Sequence, residues 1–231
     1  MQAVIDNTLE GHPESEARTA TEVSHLYGLL ASLFRAEPTA ELLKALRSDE
    51  LQPLLADSGL TLDDDLLGET DEQALIEKLA IEFTALFLGP GGHISPHESV
   101  HASQRGGILW GEETVKVKRY IESLGMTFSE EYQGLPDHIS VELDLMANLA
   151  GHEARAWERR DHEQVANALE YQHEFMRDHL LRWVPIFCRK VIETAEIGFY
   201  RGVARVTRAF LASEAEDLQR RRELVGSLQA N

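Results

Sequence analysis

The stretch "LPDHISVELDLMANLAGHEARAWER", Leu135 to Arg159, decides how the chain is read. Ile139, Leu143, Met146 and Ala150 recur at i, i+4, i+7 and i+11, the spacing of one face of an α-helix. Pro136 and Asp137 suit its start: proline gives up only an N–H that has no partner in the first turn, and an acid is favoured at the positive end of the helix dipole. The spacing predicts a helix from Pro136 to about Arg159. His138 does not follow from that logic, because a protonated imidazole is disfavoured at a helix N-terminus. It is either a neutral, tolerated side chain or one with another role.

The same periodicity extends in both directions. Val23, Leu26, Tyr27, Leu30, Leu33 and Phe34 predict a helix from Thr21, closed by "RAEP" before Pro38. Further helices are expected at Thr39–Arg47, at Glu50–Ala56, and at Asp71–Leu88 with Leu86 and Phe87 on its inner side. "DSGLTLDDD" reads as a loop whose acids face solvent. Glu112–Leu124 is stopped by Gly125, and Asp161–Trp183 should be kinked or ended by Pro185. Ile186–Glu196 and Gly198–Leu211 follow. No alternating strand pattern or internal repeat is present. The expected fold is therefore all-α, helix packed on helix, as a bundle-like single domain or two small lobes. Residues 1–19 read as a polar leader, 20–212 as the helical domain and 213–231 as a charged tail.

The 231 residues, 43% of them hydrophobic, suffice for a sizeable core. No apolar run reaches membrane-spanning length, and the N-terminus lacks the basic start and apolar core of a signal peptide, so stable membrane insertion is not expected and the cytoplasm is. The lone Cys188 excludes an internal disulfide framework and reads as a buried thiol. A formal net charge of −18 opposes binding to nucleic-acid phosphates; it either attracts a basic partner or serves solubility alone.

The segment "GPGGHISPHESVH", Gly89 to His101, spaces His93, His97 and His101 four residues apart, as metal ligands on a helix would be. Its glycines and Pro96 argue against one continuous helix. A fresh start with Ser95 as N-cap, Pro96 at the first position and Glu98 closing a capping box is the alternative. That start would pair His97 with His101 and strand His93. Three Glu-x-x-His pairs, Glu22/His25, Glu98/His101 and Glu170/His173, keep open a helical di-metal carboxylate enzyme. Dinucleotide, Walker and nucleophile-elbow motifs are missing. Trp110, Trp157 and Trp183 read by default as partly buried core residues.

Taken in order, "TALFLGP", "SPHESV", "ILWGEET" and above all "LPDHISVELDLM" resemble the TorD/DmsD family of cytoplasmic chaperones that mature molybdenum-containing redox enzymes. The likeness runs over roughly Asp71 to Gly151. It implies an all-helical, non-catalytic protein without a cofactor of its own. The implied partners are a molybdoenzyme catalytic subunit and its twin-arginine signal peptide, with homodimerisation as an option. It also implies that Leu86, Phe87, Pro96, His97, Ser99, Gly111, Pro136, Asp137 and His138 line the peptide-binding surface. His97 stands where the family usually has an aromatic ring, and Pro136 abuts Asp137 where a residue often intervenes. A twin-arginine signal peptide is an apolar stretch behind two cations, so its binder needs an apolar groove with a carboxylate at one end. Leu86, Phe87 and Trp110 are expected to supply the groove and Asp137 the carboxylate.

Overall fold

A computed structural model describes residues 13–48, 71–89, 92–102, 107–129 and 132–229. The expected helix at Glu50–Ala56, the acidic loop after it and most of the expected leader lie outside the described residues. In chain order the helices are α1 (Pro13–Arg35), α2 (Ala40–Leu46), α3 (Glu72–Phe83), α4 (Glu98–His101), α5 (Glu112–Ser123), α6 (Ile139–Glu158), α7 (His162–Phe175), α8 (Leu181–Thr194) and α9 (Gly198–Gln229). One π-helical turn, Thr84–Leu88, prolongs α3, and another, Met176–Leu180, joins α7 to α8. No strand occurs among the described residues, and the architecture is all-α.

Helix α6 is the central element. The four residues that predicted it, Ile139, Leu143, Met146 and Ala150, have no exposed surface at all. Helix α1 lies along one side of α6 and α7 along another, while α9 packs on α7 and α8. Ser24 Oγ fastens the first pair by donating to Ala147 O at 2.7 Å. Thr39 and Asp71 cap α2 and α3 through their side chains, as short polar residues before helices should.

Four expectations need correction. Helix α1 begins at Pro13, not Thr21, because Ala17 and Ala20 continue its buried stripe. Small side chains carry that stripe, so it reads as polar. The chain does not end in a loose tail after Ser213: Glu214, Leu218, Arg221 and Val225 are buried at helical spacing, and α9 runs through to Gln229. Pro185 neither ends nor replaces a helix, since it lies inside α8. The irregularity sits upstream, in the π-turn at Met176–Leu180. Finally, Trp110 is 75% exposed and holds φ at 66°, unlike the buried Trp157 and Trp183. Cys188 is buried as expected, and burial pushes its thiol up to about 12.

Candidate functional site

The two strongest motifs of the resemblance meet in space. His97 and His138 form an isolated antiparallel bridge: Glu98 N donates to Asp137 O and Ile139 N to Pro96 O, both at 2.9 Å. Each of these histidines is also an N-cap, of α4 and α6 respectively, so the bridge sets the two helix starts side by side. Their rings meet edge to face at 5.0 Å.

Asp137 has no exposed surface, and its Oδ2 accepts from Ser99 N at 2.9 Å. It therefore caps α4 across the bridge, where His97 offers no side-chain bond of its own. The expected start of that helix is wrong: Pro96 is extended in the bridge, and Glu98 turns inward to meet His179 Nδ1 at 2.7 Å. The expected start of α6 moves from Pro136 to Ile139. His138 Nδ1 accepts from Ser140 N at 3.1 Å, which requires that nitrogen to be unprotonated. Burial, then the neighbouring His97, pushes the His138 imidazole down to about 3. A neutral ring acting as a helix cap explains a histidine that dipole logic left unexplained. Burial lowers His97 as well.

Gly111 belongs to the same support. A Cβ there would lie 3.2 Å from the Ser99 Cβ and 3.0 Å from Ile108 O, so the start of α5 packs against α4 more closely than a larger residue would fit without a shift of its neighbours.

The histidines of the loop take separate partners. His101 stacks on Trp183 at 5.6 Å and donates from Nε2 to Ser95 O at 2.6 Å, whereas His93 is exposed. The Glu-x-x-His acids likewise diverge, Glu22 toward Arg18, Glu170 toward Arg222 and Glu98 toward His179.

In front of the bridge lies a cleft of about 470 Å³. The end of α1 contributes Phe34, Arg35, Ala36 and Glu37, the π-turn Phe87 and Leu88, and the bridge Pro96 and His138. Of the expected site residues, Phe87, Pro96 and His138 are thus brought together at its wall, with His97 behind. Leu86, Ser99, Pro136 and Asp137 are buried and support the wall from within. Trp110 does not line the cleft; it stands with Ile108, 74% exposed, in a separate apolar patch.

Phe34, Arg35, Ala36, Glu37, Phe83 and Leu88 line the cleft without having been among the expected site residues. Leu88 follows Phe87 in the same motif, yet it is 62% exposed while Phe87 is 3%. The extra residue of the π-turn shifts the helical register and carries it outward. Glu37 accepts from Thr84 Oγ1 at 3.0 Å, and Arg35 pairs with Asp144. Arg35 also lines a second cleft, of about 530 Å³, bounded by Phe128, Tyr132 and Asp144 among others.

Comparison with known proteins follows the same lines. The chain is 28% identical to a chaperone protein TorD of Shewanella pealeana over 94% of this chain and 96% of that one. It is also 28% identical to a chaperone protein TorD of Vibrio vulnificus over 84% and 94%. A crystal structure of a putative redox enzyme maturation protein from Archaeoglobus fulgidus superposes with a TM-score of 0.50 at 23% identity, covering 82% of this chain and 93% of that one, and shares the fold. The profile of the family described as nitrate reductase delta subunit matches residues 36–189, a span that holds both motifs of the bridge and the lining of the cleft apart from Phe34 and Arg35. With that match over most of its length, the chain belongs to the nitrate reductase delta subunit family, and the TorD-like resemblance of its motifs holds.

Proposed function

We propose that the protein is a cytoplasmic, non-catalytic chaperone that binds the twin-arginine signal peptide and the apo-form of a molybdenum-containing oxidoreductase subunit. The observation that carries this reading is the cleft in front of the His97–His138 bridge, where family motifs distant in sequence form one wall. The TorD chaperones to which the chain is similar over most of its length support the same class. No described helix is long and apolar enough to cross a membrane.

The wall offers Phe34, Phe87, Leu88 and Pro96 to an apolar segment. Asp137 has no exposed surface and its Oδ2 accepts from Ser99 N, so in this reading its carboxylate braces the wall from within. Glu37, exposed at the rim, is the acid that meets a signal-peptide arginine in this reading. The net charge of −18 adds a longer-range attraction for the basic end of the peptide.

Capture from the native cell with a tagged chain tests the proposal. Mass spectrometry is expected to identify the precursor of a molybdenum enzyme, and removal of that precursor's signal peptide to abolish most of the capture. Capture that is indifferent to the signal peptide would contradict the reading.

A further inference from the structure

Next to the bridge, beginning with the residue that follows His97, three elements converge on a buried polar cluster. Helix α4 supplies Glu98, the start of α5 supplies Glu113, and the π-turn between α7 and α8 supplies His179. All three are buried, and one ligand atom from each lies within 4.8 Å of the others. His179 is aimed by its surroundings: its ring stacks on Phe175 at 4.6 Å and its Nδ1 faces Glu98 Oε2 at 2.7 Å. A π-turn is a local departure from the helix that recurs at functional sites, and here it turns an imidazole inward between two carboxylates.

A second observation also points to a cation. Glu142, on α6, also reaches the cluster and is fully buried. Trp183 Nε1 donates to its Oε2 at 2.9 Å, and Glu142 lies within hydrogen-bond reach of Glu98; apart from a proton shared by those two carboxyls, Glu142 Oε1, Glu98 Oε1 and Glu113 Oε2 have no hydrogen-bond partner. Unpartnered carboxylate oxygens at that depth are costly. The nearest fixed cations lie at the rim, where Lys116 stands 3.2 Å and Arg182 3.8 Å from Glu113, and neither bridges the inner acids.

We propose that Glu98, Glu113 and His179 form a binding site for one divalent first-row transition-metal ion, with Glu142 holding Glu98 in place. Imidazole with carboxylates is a donor set for zinc, manganese or iron, whereas calcium takes oxygen ligands alone. Glu113, with a side chain 12% exposed, marks the side from which an ion enters. The site uses none of the residues that line the cleft and stands whether or not a signal peptide binds there.

The full-length protein is stripped with chelator, incubated with Zn²⁺ and desalted, and its metal content measured. In parallel, Co²⁺ is added and the visible absorption recorded. The wild type is expected to retain about one equivalent of zinc, to melt at a higher temperature when loaded, and to give cobalt ligand-field bands. Glu113→Gln, at the rim, and His179→Gln are expected to lose retention and the bands. Glu142→Gln should weaken zinc by roughly 10- to 100-fold, the usual loss when a group supporting a ligand is removed. Should His179→Gln fail to fold, Glu113→Gln still decides. A wild type that retains no zinc would overturn the proposal, leaving protons alone to satisfy the acids. Wild-type retention by a folded Glu113→Gln would overturn it too, placing the ion elsewhere.

Discussion

Asp137 and His138 show how far a side chain's type is from its role. Both stand in the motif that carries the family resemblance, and both serve as caps, Asp137 for α4 and His138 for α6. Asp137→Asn should lower stability by roughly 1 to 3 kcal/mol, the range for a buried charge-assisted hydrogen bond that is weakened. Urea denaturation measures this, and peptide affinity of the folded variant should stay at the wild-type level. His138 makes the fold acid-sensitive. Its folded value of about 3 lies below its ordinary 6.5, so the unfolded chain takes up the proton first as the pH falls. The His138 contribution is complete above about pH 6.5 and is lost progressively below it. His138→Asn keeps an acceptor for Ser140 N, so its melting temperature should fall less than that of wild type between about pH 6 and pH 4. The sequence identified these residues as special because they sat in a recognisable motif. It did not show the burial of Asp137, because that depends on the α4 backbone, which lies 38 positions away.

Helices were legible where large apolar side chains recur, as in α6, and illegible where the stripe is made of small or charged groups. The start of α1 rests on alanines, and the second half of α9 rests on a buried ion network. There Arg221 Nη1 donates to both oxygens of Glu153 at 2.7 and 2.8 Å, and Arg221 Nη2 pairs with Glu214. A run of charges reads as solvated surface unless its partners on α6 are known. Arg221→Ala leaves two acids buried without their cation and should cost about 3 to 5 kcal/mol. A loose tail would tolerate the change, so chemical denaturation distinguishes the two. Burial pushes Glu214 up to about 7, opposed by Arg221 and reinforced by Glu153 and Asp217. An acid whose folded value is raised contributes stability that is present below its ordinary 4.5 and is lost as the pH rises through 7. Glu214→Gln should therefore flatten the fall in melting temperature between about pH 5 and pH 8, opposite in sign to the His138 effect. The π-turns left no trace in the periodicity either, because one inserted residue looks like ordinary drift of a helical stripe.

The whole molecule joins an acidic surface to one apolar cleft whose wall is braced from behind by caps and a close glycine contact. Its class was legible from helical spacing and ordered motifs. The location of the cleft was only half legible, since Phe87, Pro96 and His138 were named but Arg35, Glu37 and Leu88 come from a helix end and a register shift. An attraction between exposed charges should weaken as salt is added, while the apolar part of binding persists. The most direct test is calorimetric titration of a synthetic twin-arginine signal peptide into the full-length wild type, Leu88→Asp and Glu37→Gln. Leu88 and Glu37 are exposed, so both variants should fold. Wild type is expected to bind saturably, Leu88→Asp to lose about tenfold or more, and Glu37→Gln to show a smaller loss that disappears at high salt. Equal affinities for all three proteins would contradict this and remove the cleft as the binding site.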